Sequence, residues 1–137
     1  MKICDIMTRN VQTVRPEQTI REAASLMARI DSGALLVEDH DRLVGMVTDR
    51  DITIRAVAEG LDGETPVRRV MSGNVRYCFE DEEVQHVAQN MADIQKRRLP
   101  VLSREKHLIG VVSLGNIASA RSETTSSTVL RGVAQAH

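Results

Sequence analysis

Apolar positions along this chain change period, and the same order of changes occurs twice. Gln12-Thr13-Val14 alternates as a short strand. From Ile20 to Ile30 the apolar residues Ile20, Ala23, Ala24, Met27 and Ile30 fall at helical spacing. Thr19 and Glu22 stand three apart before that run, the spacing of a capping box. Gly33 is expected to end the helix. Ala34 to Val37 and Leu43 to Val47 are β runs, separated by the polar turn Asp39-His40-Asp41-Arg42. Asp49 to Glu59 reads as a second helix, stopped by Gly60.

Shifting the chain against itself by 71 − 7 = 64 residues pairs Met7 with Met71, Asn10 with Asn74 and Val11 with Val75. The register holds through Ile20 with Val84, Met27 with Met91, and Leu35 with Leu99. One inserted residue near His107 then aligns Leu43-Val44-Gly45-Met46-Val47-Thr48 with Leu108-Ile109-Gly110-Val111-Val112-Ser113. The chain is therefore an internal duplication. In the second copy, Glu80-Asp81-Glu82-Glu83 is expected to place carboxylates in the first turn of a helix running to about Gln95. Strands follow at Leu99 to Leu102 and Leu108 to Val112, and a short helix begins near Leu114. The expected architecture is α/β (α+β-like): two tandem β-α-β-β-α repeats, residues 1–62 and 63–121, packed with pseudo-twofold symmetry. A repeat of about 60 residues buries too little core to stand alone. The linker Leu61 to Pro66 joins them. The Ser/Thr-rich tail, 122–137, reads either as disorder or as a cap for a short helix through Val129, Leu130, Val133 and Ala134.

Composition narrows the function. Of 137 residues, 42% are hydrophobic, yet Tyr77 and Phe79 are the only aromatics, so the core is aliphatic. A net charge of −1 and the scarcity of aromatics argue against nucleic acid as a partner. No apolar run reaches the roughly 18 residues of a membrane span, and Met1-Lys2-Ile3-Cys4-Asp5 is not expected to act as a signal peptide. Two cysteines fit reduced thiols, so a soluble cytoplasmic protein is expected.

Catalytic chemistry has little to stand on. His40 and His107 fall in turns, His86 on a helix face and His137 at the end, with no pair at metal-ligand spacing. Cys78 aligns with Val14 as a small core residue, and phosphate-loop and dinucleotide fingerprints are absent. The segment Gly45-Met46-Val47-Thr48-Asp49-Arg50-Asp51 is the informative one. Thr48 ends a strand and Asp51 lies three residues on, where a carboxylate can accept two adjacent sugar hydroxyls. An ordinary helix cap explains the same residues, and both readings stay open.

Taken together, Met-Thr near the start, "RRLPV" at Arg97 to Val101, and the closings "GMVTDRD" and "GVVSLGN" resemble the CBS (cystathionine-β-synthase) domain pair, or Bateman module, over residues 3 to 120. The resemblance implies a stand-alone regulatory module, not an enzyme, that needs no cofactor and senses an adenosine-type nucleotide: AMP, ADP, ATP or S-adenosylmethionine. It assigns Met46, Thr48, Arg50 and Asp51 to a first cleft, with Val75, Arg76, Arg97, Arg98 and Pro100 from the second repeat. The second cleft, Val11, Gln12, Ser113 and Asn116, departs from the pattern. Asn116 stands where the aspartate belongs, and Gly33 and Ala34 stand opposite Arg97 and Arg98. One competent and one degenerate site follow. The resemblance further implies a homodimer, with ligand binding transmitted to an unknown effector protein. The alternative is a ligand-independent, stress-associated scaffold with vestigial clefts.

Overall fold

The computed structural model describes residues 1–129, and within it the twofold pattern becomes two three-stranded sheets. The first holds β1 (Thr13–Val14), β2 (Ala34–Asp39) and β3 (Arg42–Thr48) in that order; the second holds β4 (Cys78–Phe79), β5 (Arg98–Leu102) and β6 (Leu108–Ser113). β1 runs parallel to β2, with Thr13 opposite Leu36, and β4 runs parallel to β5, with Cys78 opposite Val101. A parallel neighbour requires a crossover. Helices α1 (Ile20–Ile30) and α3 (Val84–Ile94) supply the two crossovers. β2 and β3 instead form a hairpin, turned by His40 and Asp41 at φ 52° and 66°. Positive φ at both central residues matches the twist of the flanking strands.

Local chemistry explains the helix limits, and some differ from expectation. Thr19 and Glu22 do form the capping box: the Glu22 amide donates to Thr19 Oγ1 at 3.1 Å, and the Thr19 amide to Glu22 Oε1 at 3.2 Å. α1 ends at Asp31, which takes the left-handed conformation, and not at Gly33. A Cβ at Gly33 would lie 2.9 Å from Oδ2 of the exposed Asp49 side chain, which can swing aside. The buried stripe of α1 is Ile20, Ala23, Leu26 and Met27; Ala24 and Ile30 face outward, because the stripe advances by three and four residues around one side. In the second repeat the helix begins only at Val84, so Glu80 to Glu83 precede its first turn. Glu82 is occupied earlier, accepting the Phe79 amide at 2.7 Å.

α2 (Asp49–Ile52) is one turn long and continues as the π turn Thr53–Val57. α4 (Leu114–Val129) is longer than expected and takes in the Ser/Thr stretch; Leu130, Val133 and Ala134 lie outside the described residues.

The chain divides into two compact units, and their membership crosses the repeats. One unit combines residues 1–11 with 77–105 and the later part of the chain; the other spans 12–76 and adds 106–108. The segment ahead of each repeat thus packs with the other repeat's helix and sheet. Ile3 and Met7 are buried with Cys78, Val87, Met91, Leu99, Val101, Val112 and Ile117. Val67, which opens the short turn Val67–Arg69, and Val70, its C-cap, are buried with Val14, Ile20, Met27, Val37 and Val47.

Matching hydrogen bonds hold both segments. The Ile20 amide donates to the Thr65 carbonyl at 2.8 Å, and its partner at a shift of 64, Val84, donates to Met1 at 2.9 Å. Val67 donates to Gln18 at 2.7 Å, and Ile3 to Glu82 at 3.0 Å. These carbonyls satisfy helix-start amides that otherwise have no partner within the helix.

Candidate functional site

The closing motif of the first repeat sits where β3 hands over to α2. Thr48 is the N-cap, its Oγ1 accepting the Asp51 amide at 3.0 Å. The Thr48 amide donates back to Asp51 Oδ2 at 2.9 Å. The ordinary helix cap is therefore present, and it has a consequence for sugar binding. It fixes the Asp51 carboxylate at the helix start with its side chain only 16% exposed, one oxygen committed and Oδ1 turned elsewhere. A fixed, negatively charged acceptor with spare lone pairs is what a diol requires.

Oδ1 faces Arg55, whose Nε lies 3.8 Å away. The same guanidinium donates through one terminal nitrogen to the Val70 and Met71 carbonyls, each at 3.4 Å. Arg55 was not among the residues the sequence singled out. An acid followed by a base four residues on, along a helix, was the available signal.

The strand behind the motif is held by close backbone approach. Met46 and Ser72 exchange two backbone hydrogen bonds of 2.9 Å. A Cβ on Gly45 would lie 2.7 Å from the Ser72 carbonyl oxygen and 2.9 Å from Met71 Sδ, so only glycine leaves room. The second repeat repeats the device: Thr8 and Val111 exchange two bonds of 2.9 Å, and a Cβ on Gly110 would meet Met7 Sδ at 2.7 Å and the Thr8 oxygen at 2.8 Å.

The second closing motif is built alike but spends its acceptor differently. The Ser113 amide and Ser113 Oγ both donate to Asn116 Oδ1, at 2.9 and 3.0 Å, and the Asn116 amide donates to Ser113 Oγ at 3.0 Å. The amide's single acceptor oxygen already has two donors.

Of the residues expected in the first cleft, Met46, Thr48, Arg50, Asp51, Val75 and Arg76 belong to the unit of the first sheet. Arg97, Arg98 and Pro100 belong to the other unit, as do Ser113, Asn116 and Val11, while Gln12 lies in the first. Arg50, Arg76, Arg97 and Arg98 are exposed, as a residue offered to an anion must be. Pro100 is buried within β5, its carbonyl accepting the Cys78 thiol at 3.8 Å. The Arg97 carbonyl accepts the Leu114 amide at 2.9 Å, as Gly33 accepts that of Asp49 at 2.9 Å.

Cys78 is buried, and loss of solvation pushes its thiol up to about 12, with the nearby Glu82 charge adding to the shift. It is a core residue, as its alignment with Val14 suggested. Among the described residues, no three His, Cys, Asp or Glu side chains stand close enough to share a metal ion, and no helix is long and apolar enough to cross a membrane.

Comparison with known proteins bears on the whole arrangement. The family profile described as CBS domain matches residues 3–57 and 67–123. The CBS domain-containing protein YhcV of Bacillus subtilis is 47% identical over 119 residues, covering 83% of this chain and 81% of that protein. The crystal structure of Hypoxic Response Protein I with two coordinated zinc ions matches at a TM-score of 0.75 and 36% identity, covering 87% of this chain and 98% of that one. The CBS domain pair of protein MJ0100, solved with 5-methylthioadenosine and S-adenosyl-L-methionine, matches at a TM-score of 0.72 and 26% identity, over 90% and 98%.

Proposed function

This chain belongs to the CBS-domain family, and from that premise we propose that it is a regulatory module that binds an adenosine-type nucleotide. Thr48 and Asp51 take the ribose, and the family resemblance gives the phosphate to Arg97 and Arg98. Met46, Arg50, Val75 and Arg76 lie in the same unit as Thr48 and Asp51. The observation that carries this reading is the Asp51 carboxylate: capped through Oδ2, only 16% exposed, and with Oδ1, which faces Arg55 at 3.8 Å, outside the cap. The adenosyl ligands of the MJ0100 pair support the ligand class.

The second site is degenerate on this reading. Asn116 Oδ1 is already engaged by two local donors, and an uncharged amide grips a diol more weakly than a carboxylate. The reading includes a homodimer and a separate effector protein that senses the liganded state. Ile54 and Val57, 50% and 66% exposed, are apolar side chains available to such a partner surface.

A thermal-shift panel of AMP, ADP, ATP, S-adenosylmethionine and adenosine tests the proposal. A ligand that binds only the folded state stabilises it by about 2.7 kcal/mol at a hundred times its Kd. The expected result is a rise in Tm with AMP that disappears in Asp51→Ala. In Arg97→Ala/Arg98→Ala the rise should weaken for AMP and persist for adenosine. No rise with any adenosyl compound would overturn the nucleotide reading and favour a ligand-independent scaffold.

A further inference from the structure

We propose that Arg55 is a positioning residue that ties the Asp51 carboxylate to the chain segment 70–72, so that what happens at Asp51 is felt by that segment. Three acceptors converge on one guanidinium: Asp51 Oδ1 at 3.8 Å from Nε, and the Val70 and Met71 carbonyls at 3.4 Å from a terminal nitrogen. A planar fork of fixed donors spans such a set, whereas an ammonium is a single point charge. The next residue, Ser72, is the one that exchanges two backbone bonds with Met46 on β3. Carboxylate, guanidinium, segment and strand therefore form one continuous chain of contacts.

The duplication supplies an internal control. Sixty-five residues on, Asn116 replaces Asp51 and Ala120 replaces Arg55. Where the carboxylate is lost, the cation is lost with it. Ala120 is buried, and the equivalent short turn, Ile3–Asp5, takes its guanidinium from Arg9 of its own segment, which donates to the Cys4 carbonyl at 3.2 Å. Joint loss of both members is what an electrostatic partnership predicts.

This inference rests on the nucleotide reading for its purpose, though not for its geometry. Oδ1 is the oxygen the cap leaves available, so a ribose hydroxyl and Arg55 draw on the same atom. Ligand at Asp51 then loosens the guanidinium's hold on the Val70 and Met71 carbonyls, and the Ser72–Met46 pair opens more often.

Amide hydrogen exchange on the full chain tests this. In the ligand-free protein, Arg55→Ala and Asp51→Asn should each speed exchange of the Ser72 and Met46 amides by roughly three- to tenfold. The double variant should be no faster than either single one, because both break one link. Arg55→Lys should fall between wild type and Arg55→Ala. Exchange within twofold of wild type in Arg55→Ala, single effects that multiply in the double variant, or equal acceleration across the first unit's core amides would each overturn the tether. With AMP as probe, wild-type Ser72 exchange should rise at least twofold, and Arg55→Ala should bind AMP by calorimetry without that rise. An equal rise in both proteins overturns the coupling. If wild type binds no AMP or other adenosyl compound by calorimetry, the nucleotide reading has failed, and the ligand-free comparison still decides the tether.

Discussion

Replacing Gly45 by alanine adds one methyl group at the most crowded glycine of the first-sheet unit. The new Cβ would stand 2.7 Å from the Ser72 carbonyl oxygen and 2.9 Å from Met71 Sδ. The methionine sulfur can swing away at small cost. The carbonyl cannot, because it accepts the Met46 amide while the Ser72 amide donates back, both at 2.9 Å. Relief therefore means separating β3 from the segment at Ser72. Two exposed or half-buried backbone bonds contribute about 1 kcal/mol each, and forced repacking around an inserted methyl costs about 1–3 kcal/mol. Because the separation partly relieves the clash, the two terms overlap, and the expected loss is about 2–4 kcal/mol. For a chain of this size that lowers Tm by roughly 8–16 °C.

Urea unfolding of Gly45→Ala measures the loss, with two glycines as controls. Gly73 has no neighbour within 4 Å of a built Cβ and an ordinary φ, so Gly73→Ala should be neutral or slightly stabilising. Gly60 also has open space but sits at φ 77°, so Gly60→Ala should cost about 1 kcal/mol through backbone strain alone. A Gly45→Ala protein within about 0.5 kcal/mol of wild type would refute the close-approach argument. So would a loss equal to that of Gly60→Ala, since strain and crowding would then be indistinguishable.

Other substitutions probe the exchanged segments and the thiols. Ile3→Ala empties a fully buried site among Met7, Cys78, Val87 and Met91, and should cost about 3 kcal/mol. Its effect should appear as faster amide exchange at Val87 and Val101, with Val37 and Val47 changed less; the opposite pattern would contradict the crossed packing. At pH 8 a thiol reagent should modify one cysteine per folded chain, Cys4, and two in denaturant, because burial keeps Cys78 protonated. The Cys78 pKa is raised from its ordinary 9.0 to about 12, so its share of stability is intact below pH 9 and lost as pH climbs from 9 toward 12. A fold that gains stability over that range would show the sign to be wrong.

Element order, the duplication and the family were legible in the residues. A strand of period two, a helix of period 3.6 and a polar turn each depend on neighbours a few positions away, and the chain states those patterns twice. The Thr19–Glu22 box and the αL end of α3 at Gln95 agree with local chemistry. The Thr48–Asp51 motif was also visible, but as two readings. The structure shows the cap, and the cap itself leaves the carboxylate oxygen on which the ligand reading depends.

What the sequence by itself determined was therefore the set of short-range elements and their repetition, because propensity, capping and periodicity act over one or two turns. Only the tertiary structure decided that residues 1–11 pack with the second sheet and Val67 to Ser72 with the first. It alone showed that Gly45 and Gly110 answer to crowding, and that Arg55 meets Asp51 and two distant carbonyls together. The physical reason is one of range. A hydrophobic residue such as Ile3 specifies that it will be buried, not against which partner, and a glycine specifies permission, not the atom that needs it. Those choices are made by which segment can satisfy the open amides of each helix start, a condition that exists only once the chain has folded back on itself.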